Sequence, residues 1–318
     1  MQKLTIGVPT FNRKTQLSRL LEGVADADTP FLEEVVIVDN SSEYDVNTVI
    51  PSRIKAKTRV VKNQINVGMS TNIVAPFLQC NTKWMWLISD DDIVLPRAIA
   101  EIEQELKTTD ECCYYKFSSQ GLGEKGVERD QELTGLDDFL AYFEDDRETR
   151  NGKLVFMSDG VFDLELLRPY LAYSFMYSYT FIGYLVPVIR ALKSGLSVKM
   201  SDRFVCEYRS PNVNGYAGWR FDSISLGMCT LAHAMLDLSK SERRRVLSLV
   251  TLVKHKRLFA YLWRRNVESS HDIYIMVYCG LYRYHLSPHK KLQAIFLWFI
   301  LLMRNKVHKS ARKQVIGR

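Results

Sequence analysis

Residues 84–96 read W-M-W-L-I-S-D-D-D-I-V-L-P, and no other stretch constrains the fold of this chain so tightly. An apolar run of strand character stops at three consecutive carboxylates, Asp90, Asp91 and Asp92; a second apolar run and Pro96 follow. Three adjacent acids repel one another and cost too much to bury unpaired. They therefore belong at the end of a buried strand, where two uses are open to them. In one they form a solvated turn that caps a helix starting near Pro96. In the other they hold a divalent cation, because Mg2+ and Mn2+ take hard oxygen ligands and bridge protein carboxylates to substrate phosphates.

The segments before this stretch alternate strand and helix signals, the pattern of an α/β fold with a mainly parallel sheet. Strands are expected at Leu4–Val8, Glu34–Val38 and Arg59–Lys62, with the acid-terminated run as the fourth. Leu17, Leu20, Leu21 and Val24 keep helical spacing after the first strand, with Asn12 as its expected cap. A later helix is interrupted by Pro76, and another carries Ile99, Ile102 and Leu106. Two strands end in polar clusters containing an acid, first Asp39-Asn40-Ser41-Ser42 and then Asp90 to Asp92. Ligands of open α/β sheets bind beyond the carboxyl ends of the strands, so the clusters mark a nucleotide site. Asp39 suits a base or a ribose hydroxyl, the triple acid suits a metal on a diphosphate, and Gly68 permits close backbone approach. No G-x-G-x-x-G follows the first strand, and the chain has no G-x-x-x-x-G-K-[ST]. A dinucleotide fold and a P-loop are thereby disfavoured.

P-T-F-N-R at 9–13, V-V-I-V-D-N-S-S at 35–42, N-V-G at 66–68 with Asn72, and S-D-D-D-I-V-L-P at 89–96 occur in that order. Together they resemble the family 2 glycosyltransferases of the GT-A fold, over about the first third of the chain. The resemblance implies that Pro9, Thr10 and Arg13 line a nucleotide-sugar pocket and that Asp39 contacts the base or ribose. It implies that Asn66, Gly68 and Asn72 form the flank of that pocket. It sets Asp90 to Asp92 at the DxD position for Mn2+ or Mg2+: Asp91 aligns best as the metal contact, with Asp92 beside it and Asp90 toward the ribose. Outside that resemblance, Arg13 also suits a solvated first turn, and Asn66 and Asn72 suit turns and caps.

The middle of the chain departs from the family. Residues 110–150 read as the least ordered part, with Asp137 and Asp138 opening a helix that carries Phe139, Leu140 and Phe143. Lys153–Met157 and Val161–Leu164 flank Ser158-Asp159-Gly160, and Tyr170, Tyr173, Phe175, Tyr177, Tyr179, Phe181 and Tyr184 follow. Rings suit sugar faces, but at this density most are expected in the core. Inverting members carry a catalytic acid between the acceptor region and the last strand, yet no Asp, Glu or His stands between Glu165 and Asp202. Asp159 is the first candidate for the base that deprotonates the acceptor. Asp202 or Asp222 is the second, and a front-face route with no protein base is the third.

Charge divides the chain. Residues 1–222 carry 25 Lys and Arg against 32 Asp and Glu, whereas residues 223–318 carry 18 against 4, and none of the acids follows Asp272. We therefore expect a GT-A catalytic domain at 1–222 and a helical, basic extension at 223–318. Ser239 to Glu242 resembles a helix cap, and the apolar run Ala294–Met303 lies between Lys290-Lys291 and Arg304. Ten apolar residues are too few to span a bilayer, but between cations they suit a helix lying in a membrane interface. No nucleic-acid motif accompanies the basic residues, so nucleic acid is not an expected partner. No CxxC pairs the six cysteines, which read as core residues of a reducing compartment, and the first residues show no secretory signal pattern.

The expected protein is a cytoplasmic transferase, peripheral on the inner face of the cell membrane. It moves one sugar from a nucleotide-sugar, UDP-linked by preference, to a lipid-linked saccharide in O-antigen or capsule assembly. Two alternatives are a nucleotidyltransferase on a similar sheet and a non-catalytic saccharide-binding relative.

Overall fold

A computed structural model describes residues 3–108, 112–121, 130–145, 154–209 and 237–250, together with 292, 295, 296, 299, 300, 303 and 304. The chain forms two units, Met1–Ala217 and Gly218–Arg318.

The first unit begins with four parallel strands, β1 (Leu4–Thr10), β2 (Leu32–Asp39), β3 (Thr58–Lys62) and β4 (Trp84–Leu87), in the order β3-β2-β1-β4. Helix α1 (Lys14–Ala27) connects β1 to β2 and buries Leu17, Leu20, Leu21 and Val24, the stripe its spacing predicts. Arg13, not Asn12, holds its N-cap position. The Asn12 side chain is engaged elsewhere, accepting the Glu43 N–H at 2.9 Å. After β3 come α2 (Met69–Val74) and α3 (Pro76–Gln79), divided by Pro76, which has no N–H to continue a ladder. Strand β5 (Ile93–Val94) and α4 (Ala98–Leu106) follow the acid loop.

Alternate residues of β1 face opposite layers. Leu4, Ile6 and Val8 join α1 and α4 in one core with Val35, Ile37, Trp84 and Trp86. On the other face Gly7 leaves room for α3: a Cβ there would lie 2.7 Å from the Pro76 Cβ.

Strand β6 (Cys112–Gln120), β7 (Gln131–Thr134), α5 (Gly135–Asp145), β8 (Gly160–Asp163), α6 (Leu164–Leu167), α7 (Leu171–Met176), α8 (Val186–Lys193) and β9 (Ser197–Glu207) complete the unit. They extend the sheet as β4-β8-β6-β9-β5, with β7 on β9. Strand β8 runs antiparallel to both β4 and β6, while β6 and β9 are parallel. The sheet is therefore mixed, and its parallel half is the part that carries the strand ends of interest. Strand β6 falls in the stretch expected to be least ordered. Its one charge, Lys116, is buried together with the rest of the strand from Cys112 to Ser119. Asp137 and Asp138 do open α5.

The aromatic segment corrects a second expectation. Of its seven rings only Tyr184 is in the core. Tyr173 and Tyr177 stack with planes 6° apart, Tyr179 continues the row, and the Arg190 guanidinium lies 3.6 Å from the Tyr173 ring centre.

In the second unit, α9 (Lys240–Val250) opens on a reciprocal cap. The Ser239 N–H donates to Glu242 Oε2 at 2.6 Å, and the Glu242 N–H donates to Ser239 Oγ at 3.2 Å. Among the described residues no helix is long and apolar enough to cross a membrane.

Candidate active site

Four loops meet at the carboxyl ends of the parallel strands. The Asn40 N–H donates to the Thr10 carbonyl at 2.9 Å, and the Asn63 N–H donates to the Asp39 carbonyl at 2.8 Å. Asn12 and Ser41 adopt positive φ values of 53° and 70°. Such backbone is strained for residues other than glycine and persists where surrounding bonds fix it. Here the Ser42 hydroxyl accepts the Asn12 N–H at 2.9 Å and so joins the β1 and β2 loops.

Asparagines knit the flank. The Asn40 amide donates to Asn66, and its oxygen accepts from the Asn63 amide and the Val67 N–H. Asn66 also accepts the Gly68 N–H at 2.9 Å. Asn63 donates to Asn72, which is buried and donates to the Val38 carbonyl at 3.1 Å. Gly68 sits at φ 83°, a region glycine enters without penalty. Asn66 and Asn72 thus shape the loop that borders the pocket, through contacts with protein. Asp39 is buried; one oxygen accepts the Ser42 N–H at 2.9 Å, and Lys62 lies 3.8 Å from the other.

Each of the six carboxylate oxygens of the acid triplet accepts a hydrogen bond from protein. Asp90 is held by the Thr10 hydroxyl at 2.7 Å and by Arg13 Nη1 at 3.1 Å. Asp91 is held by the Ser89 hydroxyl at 2.5 Å and by the same Arg13 nitrogen at 2.6 Å. Asp92 is held by the Ser158 hydroxyl at 2.5 Å and the Arg209 N–H at 3.2 Å. Arg19 adds a bond to the Asp91 carbonyl at 2.6 Å. Burial pushes the Asp90 carboxyl up to about 6, against the pull of Arg13. It pushes Asp92 up to about 7, against the Ser158 hydrogen bond. Burial alone would lower Arg13, but Asp90 and Asp91 outweigh it and hold the guanidinium above its usual range.

The triplet therefore separates into unlike members. Asp91 is the more accessible acid beside Arg13, its side chain 16% exposed against 5% for Asp90. Among the described residues no three His, Cys, Asp or Glu side chains form a metal cage. A hard divalent cation would fit the Asp91 carboxylate, whose oxygens keep further lone pairs and suit Mg2+ or Mn2+. Asp92, expected as a second ligand, is less accessible than Asp91 and ties the loop to Ser158 and to the Arg209 N–H.

Asp159, the first base candidate, is buried and ion-paired with Lys116 of β6, which also donates to the Phe156 carbonyl. Burial lowers the Lys116 pKa, and the Asp159 charge opposes that shift. The carboxylate thus faces a buried cation. Asp202 is exposed on β9, its N–H donating to Asp130 at 3.0 Å, and Asp222 lies outside the described residues. Pro9 lies in β1, adjacent to Thr10, and pairs with Val38 of β2. Sequence reasoning missed Tyr44, a half-buried ring beside Thr10 and Asp90 whose hydroxyl makes no hydrogen bond of good geometry. Burial and the Asp90 charge raise its pKa. It also missed Ser158 and Lys116, whose partners are remote in sequence.

A sequence model of the family described as glycosyl transferase family 2 matches residues 5–161, from β1 into β8. The chain carries a family 2 glycosyltransferase domain. Every side-chain hydrogen bond to the carboxylates of the acid triplet comes from this domain, and the Arg209 N–H adds one from beyond it. A Campylobacter jejuni relative, GalNAc(5)-diNAcBac-PP-undecaprenol beta-1,3-glucosyltransferase, is 28% identical over 153 residues, 45% of this chain and 49% of that protein. An uncharacterized glycosyltransferase of Haemophilus influenzae is 28% identical over 104 residues, 33% of this chain and 34% of that one. The matches thus span half or less of these relatives. S. aureus TarS in complex with UDP-GlcNAc superposes with a TM-score of 0.59 at 14% identity, covering 97% of this chain and 92% of that one. The Pyrobaculum calidifontis mannosyltransferase in complex with GDP-Man and Mn2+ gives 0.53 at 12% identity, covering 96% and 87%. At these identities the likeness shows the fold, and the family 2 domain has the GT-A architecture.

Proposed function

We propose that the chain transfers one sugar from a nucleotide-sugar, UDP-linked, to a lipid-linked saccharide in the assembly of a surface polysaccharide. The observation that carries this reading is the Arg13–Asp91 pair at the end of β4. It leaves one partly accessible carboxylate among loops at the carboxyl ends of parallel strands. The UDP-GlcNAc bound by TarS and the undecaprenol-linked acceptor in the name of the Campylobacter relative support the donor and acceptor classes.

In this reading Asp39 and the asparagine-bordered loop bind the nucleoside, with Thr10, Arg13 and Asp90 below the diphosphate. Asp91 would hold Mn2+ or Mg2+, which would supply positive charge to offset that of the leaving diphosphate. Arg13 aims the Asp91 carboxylate through the 2.6 Å ion pair. Asp92 and Ser158 hold the loop rigid, and Asp159 serves as the counter-ion of Lys116 rather than as the base. The row of Tyr173, Tyr177 and Tyr179 offers flat apolar faces suited to the C–H faces of an acceptor sugar. A lipid-linked acceptor places the reaction at the cytoplasmic face of a membrane.

Thermal unfolding with UDP, GDP, CDP and dTDP, with and without Mn2+, tests the proposal on the wild type and on Asp91→Asn. A ligand at 100 times its Kd stabilises by about 2.7 kcal/mol. UDP is expected to stabilise the wild type only with metal, and Asp91→Asn not at all. No shift with any nucleotide would sink the donor site, and an undiminished shift in Asp91→Asn would sink the metal anchor.

A further inference from the structure

Leu292, Ile295, Phe296, Phe299 and Met303 are helical, and all five are in water, at 65%, 41%, 65%, 56% and 50% exposure. Their spacing is 3, 1, 3 and 4 residues. At 3.6 residues per turn this spacing puts the five positions on one stripe roughly 100° wide. A single exposed apolar side chain is ordinary, whereas five on one stripe form an apolar surface that none of the described residues covers.

We propose that this face docks on the surface of an anionic lipid bilayer, with the helix lying in the interface. Charge selects that occupant. Residues 273–318 contain nine Lys and Arg and no Asp or Glu, and Lys290, Lys291 and Arg304 bracket the stripe directly. Apolar anchors between cations match acyl chains beneath anionic headgroups, and each cation near such a surface adds attraction. A second copy would bring two segments of the same sign together, which opposes pairing through this face. The apolar run Ala294–Met303 has ten residues against the roughly 20 needed to cross a bilayer, so the helix lies on the membrane and does not span it. The purpose of such docking rests on the lipid-linked acceptor proposed above; the geometry does not.

Co-sedimentation of the full chain with vesicles tests the surface without donor or acceptor, so its outcome is independent of sugar transfer. The vesicles are phosphatidylcholine alone and phosphatidylcholine with phosphatidylglycerol. The wild type is expected to pellet with the anionic vesicles, less so in high salt. The double variant F296E/F299E is expected to bind roughly tenfold more weakly or worse, with unchanged circular dichroism. F296W guards against a variant that fails to fold: brominated acyl chains should quench its added fluorescence. Wild type remaining in the supernatant, F296E/F299E pelleting like the wild type, or F296W escaping quenching would each overturn the proposal. So would a lipid-free dimer abolished by F296E/F299E, which would assign the face to a second copy.

Discussion

The Ser158 hydroxyl donates to Oδ2 of Asp92 at 2.5 Å and joins two loops that lie 66 residues apart in sequence. Ser158 also accepts the Ser89 N–H at 2.9 Å, and its carbonyl takes the Trp86 indole N–H at 2.7 Å. One serine thus fixes the acid loop at its first residue, at its last acid and at the strand beneath. Ser158→Ala leaves a buried carboxylate oxygen without its donor, at a cost of about 1–3 kcal/mol. Urea unfolding should read this as a lower midpoint at constant slope. A loss of about 0.5 kcal/mol or less, the usual effect of an inert surface change, would show that the bond fixes nothing.

Lys116 and Asp159 should behave as one unit. Removing one member of a buried ion pair strands the other charge, and Lys116→Met alone should cost about 3–5 kcal/mol. Combining it with Asp159→Leu removes both charges and should recover much of that loss. A double-mutant cycle by denaturant unfolding measures the coupling. Losses that simply add would mean that the two side chains are energetically independent.

Asp90 and Asp92 predict an unusual pH dependence for the metal-free protein. Their folded pKa values are about 6 and about 7, raised from 3.8. The folded state therefore binds more protons than the unfolded state between these limits, and stability falls as pH rises. The contribution is fully present below the unfolded value and is lost as pH passes through the folded ones. Denaturant midpoints of the wild type should drop between about pH 4 and pH 7, after correction for other groups. Asp92→Asn should flatten the upper part of that decline; a decline that stays unchanged would acquit Asp92.

Gly160 has no room for a side chain. A Cβ there would lie 2.5 Å from the Tyr114 hydroxyl and 2.8 Å from its ring, both in the core. Gly160→Ala should destabilise by about 1–3 kcal/mol, as overpacking does. Tyr114→Phe removes the hydroxyl clash and should relieve part of the loss when the two changes are combined. An equal loss in both backgrounds would place the strain elsewhere.

Strand ends were legible where chemistry changes abruptly. Asp39 and Asp90 each terminate an apolar run, and the structure sets both at the carboxyl edge of the parallel strands. Division of labour within the triplet was not legible, because Thr10, Ser158 and Arg209 reach it from 80, 66 and 117 residues away. Lys116 concealed β6: a lysine inside an apolar run reads as a surface position until its counter-ion is known, and Asp159 lies 43 residues further on. The tyrosines misled in the opposite sense. Aromatic density reads as core, yet Tyr179 is exposed and Tyr173 and Tyr177 are only half-buried, and composition carries no record of burial.

Strand β8 fills the gap between β4 and β6, antiparallel to both. During synthesis the first four strands emerge well before it, and until Asp163 has left the ribosome β4 presents an open hydrogen-bonding edge of W-M-W-L. A truncated chain ending short of Asp163 would keep that edge permanently, and one ending before Ser158 would also lack the serine that steadies the acids. The smallest fragment worth expressing therefore extends to the end of β9, and shorter ones should aggregate rather than yield a miniature donor-binding module.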